Sequence, residues 1–95
     1  MSHEAFAQQL QTTFRIDKPL AHLKLIDVSD VKMIEGKGIK FACFSLLFSA
    51  PGSLTAESTT YHLVHEKMGA MDLFLSPVGN GKKGTVMEAC FTQRV

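Results

Sequence analysis

The stretch Tyr61-His62-Leu63-Val64-His65-Glu66 holds two histidines three positions apart with a carboxylate after the second. These residue types bind metal ions or move protons. Their spacing decides whether they can act together. On a helix, residues three apart share a face. On a strand the period is two, so an odd separation puts side chains on opposite faces. The stretch alternates as a strand. His62 then shares a face with Val64 and Glu66, while His65 goes with Tyr61 and Leu63. A bulge within the stretch would shift this parity and bring the histidines together. Zinc also needs about three or four ligands, and His3 and His22 fall in other elements. His62, His65 and Glu66 are therefore weak metal candidates. The expectation is no metal site, with His62 on the surface and His65 bonding the backbone of a following turn.

Other chemistry is equally thin. Cys43 and Cys90 stand beside no histidine in sequence and at no expected helix N-terminus, the settings that activate a thiol. No serine sits in a Gly-x-Ser-x-Gly elbow. The carboxylates Asp27, Asp30, Glu57, Glu66, Asp72 and Glu88 read as surface strand and turn residues. No catalytic residue and no cofactor are expected, and the chain is read as a non-enzyme. The stretch from Gly79 to Gly84 has the glycines and lysines of a phosphate loop, but neither its spacing nor a following helix. It reads as a hairpin tip. Lys37, Lys40, Lys82 and Lys83 would form a basic rim if two such turns lay at one end. No aromatic residue interleaves them, which argues against nucleic acid.

The elements that would position these residues are mostly strands. One helix is expected over 2–13, capped by Ser2, with Phe6 and Leu10 as apolar anchors. After Pro19, alternation begins. Leu23 and Leu25 face one way; His22, Lys24, Ile26 and Val28 face the other. The extended pattern resumes from Val31 to Ile34 after a bend at Ser29-Asp30, then turns at Gly36 and Gly38. The strongest strand is 39–50. Ala42, Phe44, Leu46 and Phe48 share one face; Phe41, Cys43, Ser45 and Leu47 share the other. Strands over 61–66, 71–77 and 85–93 follow, the first two joined through a tight turn at Gly69. The expected fold is mainly β, a five- to six-stranded antiparallel meander, strongly curved or barrel-like, with one N-terminal helix.

Length and composition agree with one domain spanning 1–95. The chain has 95 residues, 45% of them hydrophobic and 20% charged, which favours a folded domain over a disordered one. Its formal net charge of +1 argues against duplex DNA or an anionic membrane as partner. No run approaches the roughly 20 apolar residues of a membrane helix. The polar opening lacks the apolar core of a secretion signal. Two cysteines are too few for a disulfide framework, so free thiols and a cytoplasmic setting are expected, with one Cys43–Cys90 bridge as the alternative.

The ordered blocks Phe44-Ser-Leu-Leu-Phe48, Ala50-Pro51, Tyr61-His-Leu-Val-His65, Met68-Gly69, Leu73-Phe-Leu-Ser-Pro-Val-Gly79 and Glu88-Ala-Cys-Phe91 carry a resemblance. The chain resembles, from about Leu20 to Phe91, a family of small bacterial proteins classed as a domain of unknown function. Met87 stands where that pattern leads one to expect a tyrosine. The resemblance supplies no catalytic residues. It implies a small component of a larger, phage-tail-like assembly. A second apolar strand face, with Phe41, Leu47 and Phe74, and the lone Tyr61 are the interaction candidates. They would meet a protein partner or a second copy. The alternative is a β-barrel whose apolar face lines a cavity for a small hydrophobic ligand.

Overall fold

In a computed structural model, which describes residues 2–52, 54, 56–81 and 84–95, the chain is mainly β. A short helix, α1 (His3–Ala7), is followed by β1 (Thr13–Asp17), β2 (Leu20–Val28), β3 (Lys32–Gly36) and β4 (Ile39–Pro51). Then come β5 (Thr59–His65), β6 (Gly69–Gly81) and β7 (Gly84–Arg94). All described pairings are antiparallel. Six strands close a ring in the order β1–β2–β4–β7–β6–β5, and β3 adds to β4 outside it. The expected class, a mainly β, barrel-like antiparallel sheet with one N-terminal helix, is the observed one; in place of a five- to six-stranded meander there are seven strands, with β1 beside β5 and β4 beside β7 because the ring closes through non-consecutive strands.

The strand faces also match the alternation. Leu46 and Phe48 from β4, Leu63 and His65 from β5, Leu73 and Leu75 from β6, and Met87 and Ala89 from β7 are buried in the barrel. One face is shifted. The β2–β4 register skips between Leu25 and Asp27. This bulge at Ile26 flips the parity beyond it. Val28, expected on the outer face with Ile26, therefore packs against the core.

The N-terminal segment departs most from expectation. The helix ends at Ala7 and not near Thr13. Ser2 caps it by accepting from the Ala5 N–H at 3.1 Å. The backbone then takes a positive φ of 68° at Gln11, and β1 begins. Phe14 and Ile16 alternate inward against exposed Thr13, Arg15 and Asp17. Leu10, expected as an anchor, is exposed; Phe6 alone is fully buried. A helix of five residues has no stability of its own, so packing decides where it stops. At the β3–β4 turn the positive-φ residues are Lys37 and Gly38, not Gly36.

Two plugs close the barrel. At one end α1 inserts Phe6, which lies 6.5 Å from Phe14 and 5.5 Å from Phe91 between ring centroids. Phe14 meets Phe48 edge-on at 5.4 Å. Phe44, expected deep in the core, is half-buried, stacked on Phe91 at 4.9 Å with the His3 ring edge-on to it. At the other end, β4 and β5 stand across the ring from one another, so the connection between them crosses the mouth. Leu54 from that connection is buried in the core. The Tyr61 hydroxyl holds the connection by donating to the Glu57 carbonyl at 2.8 Å and accepting its N–H at 3.2 Å.

Phe14 touches more of this packing than any residue on the exposed side of β1. Phe14→Ala is expected to lower unfolding free energy by about 3–5 kcal/mol, as for a fully buried aromatic. Leu10→Ala should stay within about 0.5 kcal/mol of wild type. Urea melts of the two variants check the assignment.

Candidate functional site

The histidine stretch forms β5, and its register with β6 runs without a break from Thr59↔Leu75 to His65↔Gly69. No bulge restores a shared face. His62 is exposed, and its Nδ1 lies 2.8 Å from Asp72 Oδ1 across the strand pair. His65 is buried. Glu66 follows in the turn, exposed. The three do not converge. Among the described residues, no group of three or more His, Cys, Asp or Glu is placed to hold a metal ion.

The partners of His65 define its state. Its Nδ1 accepts two backbone N–H groups of the turn, from Lys67 at 3.0 Å and Met68 at 3.2 Å. The proton must therefore sit on Nε2, which donates to Thr12 Oγ1 at 2.8 Å. That hydroxyl in turn donates to the Gln9 carbonyl at 2.6 Å. The ring also packs against Phe14, 4.3 Å between centroids. Every polar atom of the imidazole is used in its neutral form. Burial pushes its pKa below the usual value; nearby Lys67 adds to this, and Glu66 opposes it. Such a histidine fastens the β5–β6 turn to the segment after α1 and has no free nitrogen for chemistry.

The cysteines are free, Cys43 half-buried and Cys90 exposed. Burial and the hydrogen bond to Glu88 push the Cys90 thiol up, away from a reactive thiolate. The β3–β4 turn, with Lys37, lies where β4 begins, whereas Gly84 pairs with Pro51 where β4 ends. Lys82 and Lys83 lie outside the described residues.

Apolar surface is the more prominent feature. The β6–β7 ladder spans only Glu88 to Gly84 of β7. Beyond it, β3, the first part of β4 and the last part of β7 continue as a three-stranded arm. The molecule is accordingly long, 45 × 27 × 21 Å. Val31, Met33 and Ile34 are exposed along this arm, Met33 at 58% and Ile34 at 55%. Ile34, Phe41 and Arg94 share one face of it; Met33, Ala42 and Gln93 share the other. Among the described residues β3 pairs with β4 alone, which leaves its second edge without a partner strand.

Of the four interaction candidates, only Phe41 stands in the arm. Leu47 lies on the barrel wall between Asp27 and Glu88. Phe74 is exposed on the outer face of β6. Tyr61 is buried inside the barrel and presents no surface to a partner, a correction that follows from its shared face with Leu63 and His65. Met33 and Ile34 were not singled out from sequence. Their signal was available: two adjacent apolar residues in a strand point to opposite faces and cannot both reach one core.

A family model described as a domain of unknown function, DUF6916, matches residues 1–91. The chain belongs to this family. No curated protein and no solved structure matches it. The family membership agrees with the block pattern from Phe44 to Phe91 and extends it to include α1 and β1. No helix among the described residues is long and apolar enough to cross a membrane.

His65 ties its protonation to folding. The unfolded chain takes up the His65 proton near pH 6.5, whereas the folded chain, with its lowered pKa, resists. The stability held by neutral His65 is thus complete above about pH 6.5. It is lost as pH falls through the window below that value to the folded pKa. Urea midpoints measured from about pH 7.5 downward should fall across this window. His65→Gln should remove that part of the slope, and nitrogen NMR should find the Nε2–H tautomer. An identical slope in the variant would contradict the assignment.

Proposed function

We propose that this chain is a non-catalytic protein-interaction domain, and that the β3–β4–β7 arm is the contact surface. The observation that carries this is the exposure of Val31, Met33 and Ile34 beside the free edge of β3. An exposed strand edge with apolar flanks is a template for adding a further strand. Short edges are often protected by charge, and Lys32, Glu35 and Lys37 here limit indiscriminate pairing. The resemblance adds a narrower form of the reading, a small component of a phage-tail-like assembly. Free Cys43 and Cys90 support a cytoplasmic setting. Filling of the barrel by Phe14, Phe48, Leu63 and Leu75 favours this reading over a ligand-binding barrel.

The test compares wild type with the double variant Met33→Glu/Ile34→Glu. Both positions are exposed, so the fold should be retained within about 1 kcal/mol. Light scattering across dilution and a pull-down from host extract then report association. Wild type should form a complex or self-associate, and the variant should not. A wild type that stays strictly monomeric and captures nothing would defeat the proposal, as would association that survives both charges.

A further inference from the structure

Segment 2–12 lies across one mouth of the barrel but belongs to none of its strands. Few points hold it. Phe6 packs against Phe14 and Phe91. Near its start, His3 Nε2 donates to the Ser29 carbonyl at 2.8 Å. Near its end, the Gln11 N–H donates to the Leu25 carbonyl at 2.7 Å, and the Thr12 carbonyl accepts the Leu25 N–H at 3.0 Å. The last tie is the Thr12 hydroxyl, bonded to His65. Two features favour departure of the segment. A helix of five residues does not persist without packing. Gln11 holds a φ of 68°, a left-handed conformation that is strained for a residue with a side chain.

Neutral His65 joins this segment to the β5–β6 turn. Its Nδ1 needs a lone pair for the Lys67 and Met68 amides, at 3.0 and 3.2 Å. A proton there turns the acceptor into a third donor, and both amides lose their partner. The charged ring has a way out. His65 lines a surface cavity of about 430 Å³, with Gln9, Thr12 and Thr13 on one side and Glu66 and Lys67 on the other. An imidazolium that turns into this cavity reaches water and leaves Thr12 behind. The charged groups that act on the ring are Glu66, which favours its proton, and Lys67, which opposes it, both from the turn. The segment, β1 and β6 set only uncharged Gln9, Thr12, Thr13, Phe14 and Gly69 against it. His3 has no such conflict, because a charged imidazole still donates to the Ser29 carbonyl.

We propose that His65 is an acid-released latch: its protonation frees segment 2–12 from the barrel mouth while the six-strand ring stays closed. The ring pairings involve no residue of this segment. Departure of Phe6 uncovers Phe14 and Phe91, an aromatic floor that continues into the stacked Phe44–Phe91 pair. The open state takes up the His65 proton near pH 6.5 and the latched state at a lower pH. Opening therefore grows as pH falls through 6.5 and levels off below the latched value. The latch uses no residue of β3, so this assignment and the interaction reading can fail separately.

The test is amide hydrogen exchange of the full chain at about pH 7.5 and about pH 5, corrected for intrinsic rates and read peptide by peptide. Amides of 3–12 and those of Lys67 and Met68 should exchange about three- to tenfold faster at the lower pH, while β4 and β7 keep their protection. His65→Asn offers the turn an acceptor that does not titrate, and its segment should exchange alike at both pH values. If that variant folds poorly, His65→Gln serves the same comparison. His3→Gln should loosen the segment at both pH values and keep the pH response. Protection of 3–12 that ignores pH would overturn the proposal. So would an acid loss that spreads equally over β4 and β7, or a pH response that survives replacement of His65.

Discussion

The structure depends on filling the two open mouths of a small barrel. Six strands make a ring without backbone edges, but a domain of 95 residues has little interior to spare. Phe14 is the residue around which one mouth closes. It receives Phe6 from the helix, Phe48 from the facing wall and the His65 ring from the turn. The other mouth is closed by Leu54, delivered by a connection that must cross the ring because β4 and β5 stand on opposite sides of it. Both plugs are held by hydrogen bonds from barrel residues, His65 at one end and Tyr61 at the other.

The same residues commit the barrel's buried titratable groups to the fold. His65 spends both nitrogens on closure, two turn amides on one side and Thr12 on the other. A proton on Nδ1 would face two donors and leave both without an acceptor. Tyr61 is likewise committed to the Glu57 backbone. His62 keeps an exposed ring, with Asp72 Oδ1 2.8 Å from its Nδ1. Titratable groups at the ends of this barrel hold it together.

What remains unpartnered is the arm. β2 and β3 run one after the other along the same side of β4, interrupted at Asp30-Val31. Up to Ser29 the outer edge is covered. The Leu25 backbone pairs with Gln11 and Thr12, and His3 Nε2 donates to the Ser29 carbonyl at 2.8 Å. Past that point, among the described residues, no strand pairs with the second edge of β3. The helix protects the edge for as far as it reaches, and the apolar exposure of Val31, Met33 and Ile34 begins where it stops.

Alternation made much of this legible in advance. Leu46 and Phe48 share one face of their strand because period two admits no other arrangement, and that face is the buried one. The same parity separated His62 from His65. Turn chemistry placed Gly69, whose φ is 80°. Three features needed the tertiary structure. The helix ends at Ala7 because Phe14 and Ile16 are wanted as strand residues, and no local propensity states that preference. Val28 faces inward because a bulge at Ile26 reconciles β2 with a curved β4, a long-range demand. The ring order, with β4 beside β7 and far from β5, depends on which edges meet when the sheet closes. Sequence period decides which face of each strand is apolar; only closure of the barrel decides which of those faces find a partner and which, as on β3, are left in solvent.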